Sequence, residues 1–189
     1  KKPRQVRSLS GLRRLPISPL TAMIRRGLLA SAGVALTAPF ASSVLASPQG
    51  GNVVAGQGAI AQPNANTTVI TQQSQNVVIN WQSFDLAQQD LVQFNQPSSS
   101  AAALNRILNG SPSKILGTIQ SNGKVFLVNP TGIIFGRGSR MNVGSLFASS
   151  LDISNQDFMA GSYTFSGTQG VTPGAIINQG HIEAAIGGS

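Results

Sequence analysis

Short β-rich runs, separated by turn residues, recur roughly every ten residues along most of this chain. They occupy Asn52–Ala55, Thr67–Gln72, Asn76–Trp81 and Leu91–Asn95, with Gly56, Gly58, Pro63-Asn64 and the polar stretch 72–75 between them. Further runs are expected at 115–120, 141–143, 145–153, 163–165 and 175–184. That spacing fits either a β-sandwich or the coils of a solenoid. In 77–81 (VVINW) the apolar residues are nearly continuous, as for a strand buried on both faces.

The most sharply specified stretch is 122–136, NGKVFLVNPTGIIFG. Asn122-Gly123 is a hairpin-turn signal because both residues tolerate positive φ. Asn129-Pro130-Thr131-Gly132 suits a type I turn: Asn comes first, Pro presets φ at the second position and Gly ends it. Strand, turn and strand therefore follow in quick succession, in a stretch with no acid, histidine or cysteine. Its role rests on backbone shape and surface. Two helices are expected after residue 46. One covers 101–108, rich in Ala, Leu and Arg, capped by Ser99 or Ser100 and ended by Asn109-Gly110. The other is a single turn over 155–160.

The net charge of +8 would by itself point to nucleic acid or an anionic membrane. Its distribution removes that reading. Eight of the thirteen basic residues precede Ala46, and the other five are balanced by the five acids Asp85, Asp90, Asp152, Asp157 and Glu183. Residues 1–46 read as a secretory signal. A basic region ends at Arg25-Arg26, an apolar segment covers 27–41, and Val44 and Ala46 precede a cleavage point at Ala46/Ser47. The apolar segment is shorter than the roughly 20 residues that a membrane-spanning helix needs. Met23 alone would begin a signal of ordinary length, so residues 1–22 are either a long basic region or lie upstream of the true start. With no cysteine, an exported fold must be held by packing and backbone pairing alone.

Catalytic constellations are thin. Asp85 and Asp90 flank a turn with no basic cluster beside them, and Asp152 and Asp157 flank a helix cap. His181, the one histidine, alternates with apolar residues on a strand, so no metal or cofactor is expected. Trp81, Phe84, Phe94 and Phe126 read as core rather than as a carbohydrate platform. Asn and Gln side chains inside a solenoid would stack into amide ladders from coil to coil.

Six blocks in order carry a family likeness: 77–84 (VVINWQSF), 92–100 (VQFNQPSSS), 103–107 (ALNRI), 122–136, 142–153 (NVGSLFASSLDI) and 157–161 (DFMAG). Together they resemble the N-terminal two-partner secretion domain of filamentous haemagglutinin-like exoproteins, over 47–189. The resemblance implies an all-β, right-handed single-stranded parallel β-helix with an N-terminal cap and extra-helical hairpins. It implies a secretion-targeting and folding-nucleation domain, not an enzyme. Its partners would be the Sec machinery and then an outer-membrane barrel transporter with POTRA domains. The product would be secreted or held at the cell surface, via the periplasm and outer membrane, and a downstream region would contact host or neighbouring cells. The family's Asn-Pro-Asn-Gly-Ile secretion motif falls on Asn129, Pro130, Thr131, Gly132 and Ile133, with Thr131 in place of the middle Asn. A second family motif, Asn-Pro-Asn-Leu, is absent, and Gln96-Pro97-Ser98-Ser99 lies in its region. On this reading residue 189 is a cut in a longer protein. The alternatives are a β-helical polysaccharide-active enzyme, which needs a cleft of several acids, and a directly adhesive module.

Overall fold

The computed structural model describes residues 47–167 and 169–185. The expected leader, with Met23 and Ala46, lies outside the described residues. The chain begins with β1 (Asn52–Ala55), β2 (Gly58–Asn64), β3 (Thr67–Gln72), β4 (Asn76–Trp81) and β5 (Leu91–Asn95). It continues through β6 (Ala102–Ile107), β7 (Ser113–Ile115), β8 (Thr118–Ser121), β9 (Lys124–Val128) and β10 (Ile133–Phe135). Then come β11 (Arg140–Val143), β12 (Ser145–Ser149), α1 (Asn155–Met159), β13 (Ile176–Asn178) and β14 (His181–Ala184).

These strands form a parallel β-helix. Each turn visits three sheets: β5, β6 and β7 make one, β8, β9 and β10 the next, and β11, β12 and β13 a third. Thr67 pairs with Leu91, Leu91 with Thr118, Thr118 with Arg140 and Arg140 with His181, so successive turns take 24, 27, 22 and 41 residues. The long last turn contains an excursion between β12 and β13 that carries α1. At the amino end the pairing changes to antiparallel, β1 on β4 and β2 on β3, which forms the cap. Pro63 is tolerated in β2 because β2 is the outermost strand of its sheet and no ladder needs its missing N–H.

Parallel strands keep one side chain above another, so the interior is built of columns. Val77, Ala103 and Val125 form one, and Ile79, Asn105 and Leu127 another, in the main core. The opposite face of the same sheet is also buried. Val78, Leu104 and Phe126 are in register there and pack with Ile153 and Phe158 of the excursion. Phe126 stacks on Phe147 at 4.3 Å and meets Phe158 edge-on at 5.1 Å. Arg106 ties the excursion down: its guanidinium contacts Asp152 at 2.8 Å, Asn155 Oδ1 at 2.8 Å and the Ile153 carbonyl. The expectation that 77–81 is buried on both faces holds for this reason.

Several expectations are corrected. Residues 101–108 form strand β6, not a helix. β6 sits mid-sheet between β4 and β9, and both its faces are covered, so ladder pairing and burial override the helix propensity of Ala, Leu and Arg. Asn122-Gly123 does not turn a hairpin, because β8 and β9 belong to different sheets and neither residue has positive φ. Gly123 is required by crowding, since a Cβ there would lie 2.7 Å from the Ala101 carbonyl oxygen. The run at 115–120 is split at Leu116-Gly117 and that at 175–184 at Gln179-Gly180. Gly58 and Pro63-Asn64, expected as breaks between strands, are the two ends of strand β2, and 163–165 supply Tyr163 and Phe165 to the outer aromatic cluster without forming a strand. Burial pushes the Tyr163 hydroxyl above the usual tyrosine range.

Amide stacking is present as one pair at one corner. Gln96 Nε2 donates to Gln72 Oε1 at 2.9 Å and to the Ala101 carbonyl at 3.1 Å, and the Ser121 hydroxyl closes the stack on Gln96 Oε1. Deeper inside, Asn105 is fully buried, accepts from Trp81 Nε1 at 3.0 Å and donates to the Phe126 carbonyl at 3.2 Å.

Two substitutions separate these contributions. Phe126→Ala should cost about 3–5 kcal/mol of unfolding free energy in urea, as for a large core aromatic. Gly123→Ala should cost about 1–3 kcal/mol although the φ there is ordinary, because the added methyl has no room.

Candidate functional site

The stretch Asn129-Pro130-Thr131-Gly132-Ile133 forms the corner between β9 and β10. Proline has no N–H to continue the β9 ladder, so the strand stops. The Gly132 N–H then donates to the Asn129 carbonyl at 2.9 Å, closing the expected four-residue turn. Gly132 has φ 111°, and a Cβ there would approach the Ala175 carbonyl to 2.6 Å, so glycine is required on both grounds.

Asn129 is the centre of the corner. Its side chain is 1% exposed, and all four of its hydrogen-bonding positions are used. Nδ2 donates to the Ser111 carbonyl at 2.9 Å and to Ser113 Oγ at 3.0 Å, both in the preceding turn of the helix. Oδ1 accepts from the Thr131 N–H at 3.0 Å and from the Thr131 hydroxyl at 2.7 Å. The Asn129 N–H donates to the Ser149 carbonyl in the following turn at 3.0 Å. One residue therefore bonds to three successive turns.

The rest of the stretch adds to the same knot. The Ser113 N–H donates to the Gly132 carbonyl, the Ile133 N–H to Ala175 and the Gly174 N–H to Pro130, at 3.0, 3.1 and 2.8 Å. Ile133 is fully buried in the main core. Thr131 has a structural task here: its hydroxyl and amide both hold Asn129. Pro130 and Thr131 are the half-exposed members and border a depression of about 330 Å³ with Arg106, Leu108, Asp152 and Val171.

The other residues singled out from sequence fall elsewhere. Asp90 is buried, accepting from Asn66 Nδ2 and the Ala87 N–H, each at 2.9 Å. Asp85 accepts from the Lys114 N–H at 2.7 Å. Asp157 pairs with its helix-capping partner Ser154, as expected, whereas Asp152 serves Arg106 rather than the cap. His181 is exposed on β14. Among the described residues no three His, Asp or Glu side chains come together. Trp81, Phe84, Phe94 and Phe126 are at most 2% exposed and belong to the core. Ser47, on the far side of the expected cleavage point, donates its hydroxyl to the Ala65 carbonyl at 3.1 Å. Ser111, Ser113 and Ser149, the anchors of Asn129, were not singled out, because serine carries no signal until the length of a turn is known.

Comparison with known proteins follows this geometry. A family model described as the TPS secretion domain matches residues 45–189. The chain belongs to the two-partner secretion (TPS) domain family. Two heme/hemopexin-binding proteins of Haemophilus influenzae are similar to it. One, from strain Rd, is 36% identical over 135 residues, covering 71% of this chain and 15% of that protein. The other is 38% identical over 119 residues, covering 63% of this chain and 13% of that protein. The crystal structure of the HMW1 secretion domain from Haemophilus influenzae matches with a TM-score of 0.68 and 37% identity, over 72% of this chain and 36% of that one. The chain thus spans about a seventh of the curated relatives it matches. It is the secretion domain of a TPS exoprotein, with the parallel β-helix expected from its sequence.

Asn129→Ala removes the donor to Ser113 Oγ, on a buried residue, and the acceptor of the half-exposed Thr131 N–H. Urea unfolding should show a loss of at least about 1–3 kcal/mol, the cost of a single buried group left unpaired. Thr131→Asn keeps the amide bond to Asn129 and exchanges one hydroxyl bond, so it should cost no more than about 0.5–1.5 kcal/mol, the net worth of one hydrogen bond.

Proposed function

We propose that this domain brings the exoprotein it belongs to to an outer-membrane barrel transporter with POTRA domains. Sec export through the signal in residues 1–46, cleaved at Ala46/Ser47, comes first. The route then runs through the periplasm to the cell surface, where the product is released or retained. The domain acts without catalysis, and the acids an enzyme would use are engaged in turns, a cap and the Arg106 clamp. Contact with host or neighbouring cells belongs to other parts of the exoprotein, as would any heme/hemopexin binding of the kind its relatives are named for.

The observation that carries this reading is the burial of Asn129 within bonds to three turns. The Asn129 side chain is inaccessible once the corner has closed. A transporter that reads the Asn129 side chain itself therefore reads it before the corner closes. Closing the corner on the far side of the membrane then hides the motif and pins three turns together, which opposes return through the barrel. Transport needs no energy source other than folding in this scheme, because backbone pairing and core burial supply the bias.

Co-expressing the 189-residue chain with its partner transporter tests the proposal. The wild type should appear in the medium or on the cell surface. Asn129→Ala combined with Pro130→Ala should remain in the periplasm. Secretion of that double variant at the wild-type level would contradict the motif assignment.

A further inference from the structure

The chain contains two Asn-Gly dipeptides, Asn109-Gly110 and Asn122-Gly123, and the structure places them in opposite chemical circumstances. Glycine after asparagine leaves the backbone nitrogen unhindered, so it can attack the side-chain amide carbon. At Asn122 that attack is blocked. Oδ1 accepts from the Gln96 N–H and Nδ2 donates to the Gln96 carbonyl, both at 2.8 Å, which fixes the carboxamide on a neighbouring turn. The Gly123 N–H is already held by Ser121 Oγ at 3.0 Å, and Gly123 is buried. At Asn109 the arrangement is open. Asn109 and Gly110 are both exposed, and a Cβ placed on Gly110 would meet no atom within 4 Å beyond its chain neighbours. The Asn109 Oδ1 accepts from the Ser111 N–H at 3.0 Å, which folds the amide over the following peptide and draws electron density from its carbon. Gly110 has φ 71°, a conformation that glycine adopts without strain.

We propose that Asn109 is a site of spontaneous deamidation in the folded protein and that Asn122 is protected from the same reaction. The Gly110 nitrogen, losing its proton to base, bonds to the Asn109 side-chain carbon. The carbon–nitrogen bond of the side-chain amide breaks, and ammonia leaves with a proton from solvent. The resulting five-membered imide is opened by water at either carbonyl, giving aspartate or isoaspartate. No oxidant, metal or enzyme takes part. The product carries a new negative charge, and the isoaspartate form lengthens the backbone by one methylene. Both changes fall two residues before Ser111, whose carbonyl anchors Asn129. Ageing at this corner therefore acts on the knot at the centre of the fold.

The test compares the two sites within one wild-type molecule. The 189-residue chain is held at mildly alkaline pH, one sample folded and one in urea, then digested and the two peptides followed by mass spectrometry. In the folded sample residue 109 should convert to the acid while Asn122 stays an amide. In urea both should convert at similar rates. Asn122 converting as fast as Asn109 in the folded protein would overturn the proposal. So would an Asn109 that survives folded while converting in urea.

Discussion

A parallel β-helix stands or falls on its corners. Strands can stack at the ~4.8 Å spacing of a sheet only if every turn of the helix bends at the same height as the one before it. A corner is also where backbone groups leave the ladder and must find partners without water. Asn129 meets both requirements in this domain. Its amide stands in for backbone partners of the preceding turn, its N–H reaches the following turn, and its own turn is closed by Thr131 and Gly132. Gln72, Gln96 and Ser121 tie successive turns together in the same way at another corner, with Gln96 bonded to Gln72 on one side and to Ser121 and the Lys124 carbonyl on the other. Apolar packing already forbids a one-residue slip, which would turn every Val, Ile and Leu to the other face, and these buried polar links add turn geometry to what sets the register.

The second constraint is the sheet of β4, β6, β9 and β12, which is apolar on both faces. Its outer face would be an exposed patch if the chain ran directly from β12 to β13. The excursion between them covers it with Ile153, Phe158, Tyr163 and Phe165, and Arg106 on β6 holds the cover through Asp152 and Asn155. The chain then returns through Gly174 and Ala175 to the Asn129 corner, where both make backbone bonds. Cover and corner are thus linked: closing one brings the chain to the other.

Much of the fold was legible in the sequence. Strands β3, β4 and β5 are apolar or β-branched runs bounded by Asn, Gln, Ser and Gly, and their ends fall where those residues are. β6 was not legible, because Ala, Leu and Arg favour a helix until the strands on either side are known to exist. Asn122-Gly123 reads as a hairpin turn in the sequence, whereas Gly123 is needed for lack of space, and positive φ and lack of space leave the same trace in a sequence. At the candidate site the turn Asn129–Gly132 was readable from its own chemistry, and the family motif drew attention to it. Its anchors were not. Ser111 and Ser113 lie less than one 22-residue turn away, Ser149 lies in the turn that follows, and only the measured register brings the three serines to one asparagine.

Native-state hydrogen exchange, read residue by residue, tests most directly whether the Asn129 corner is integral to the fold. The amides of Ser113, Asn129, Gly132 and Ile133 should exchange only through global opening, with the same free energy as the amides of β6 and β9. Exchange of those four through local opening, well below the free energy of β6 and β9, would show that the corner merely decorates a helix held together elsewhere.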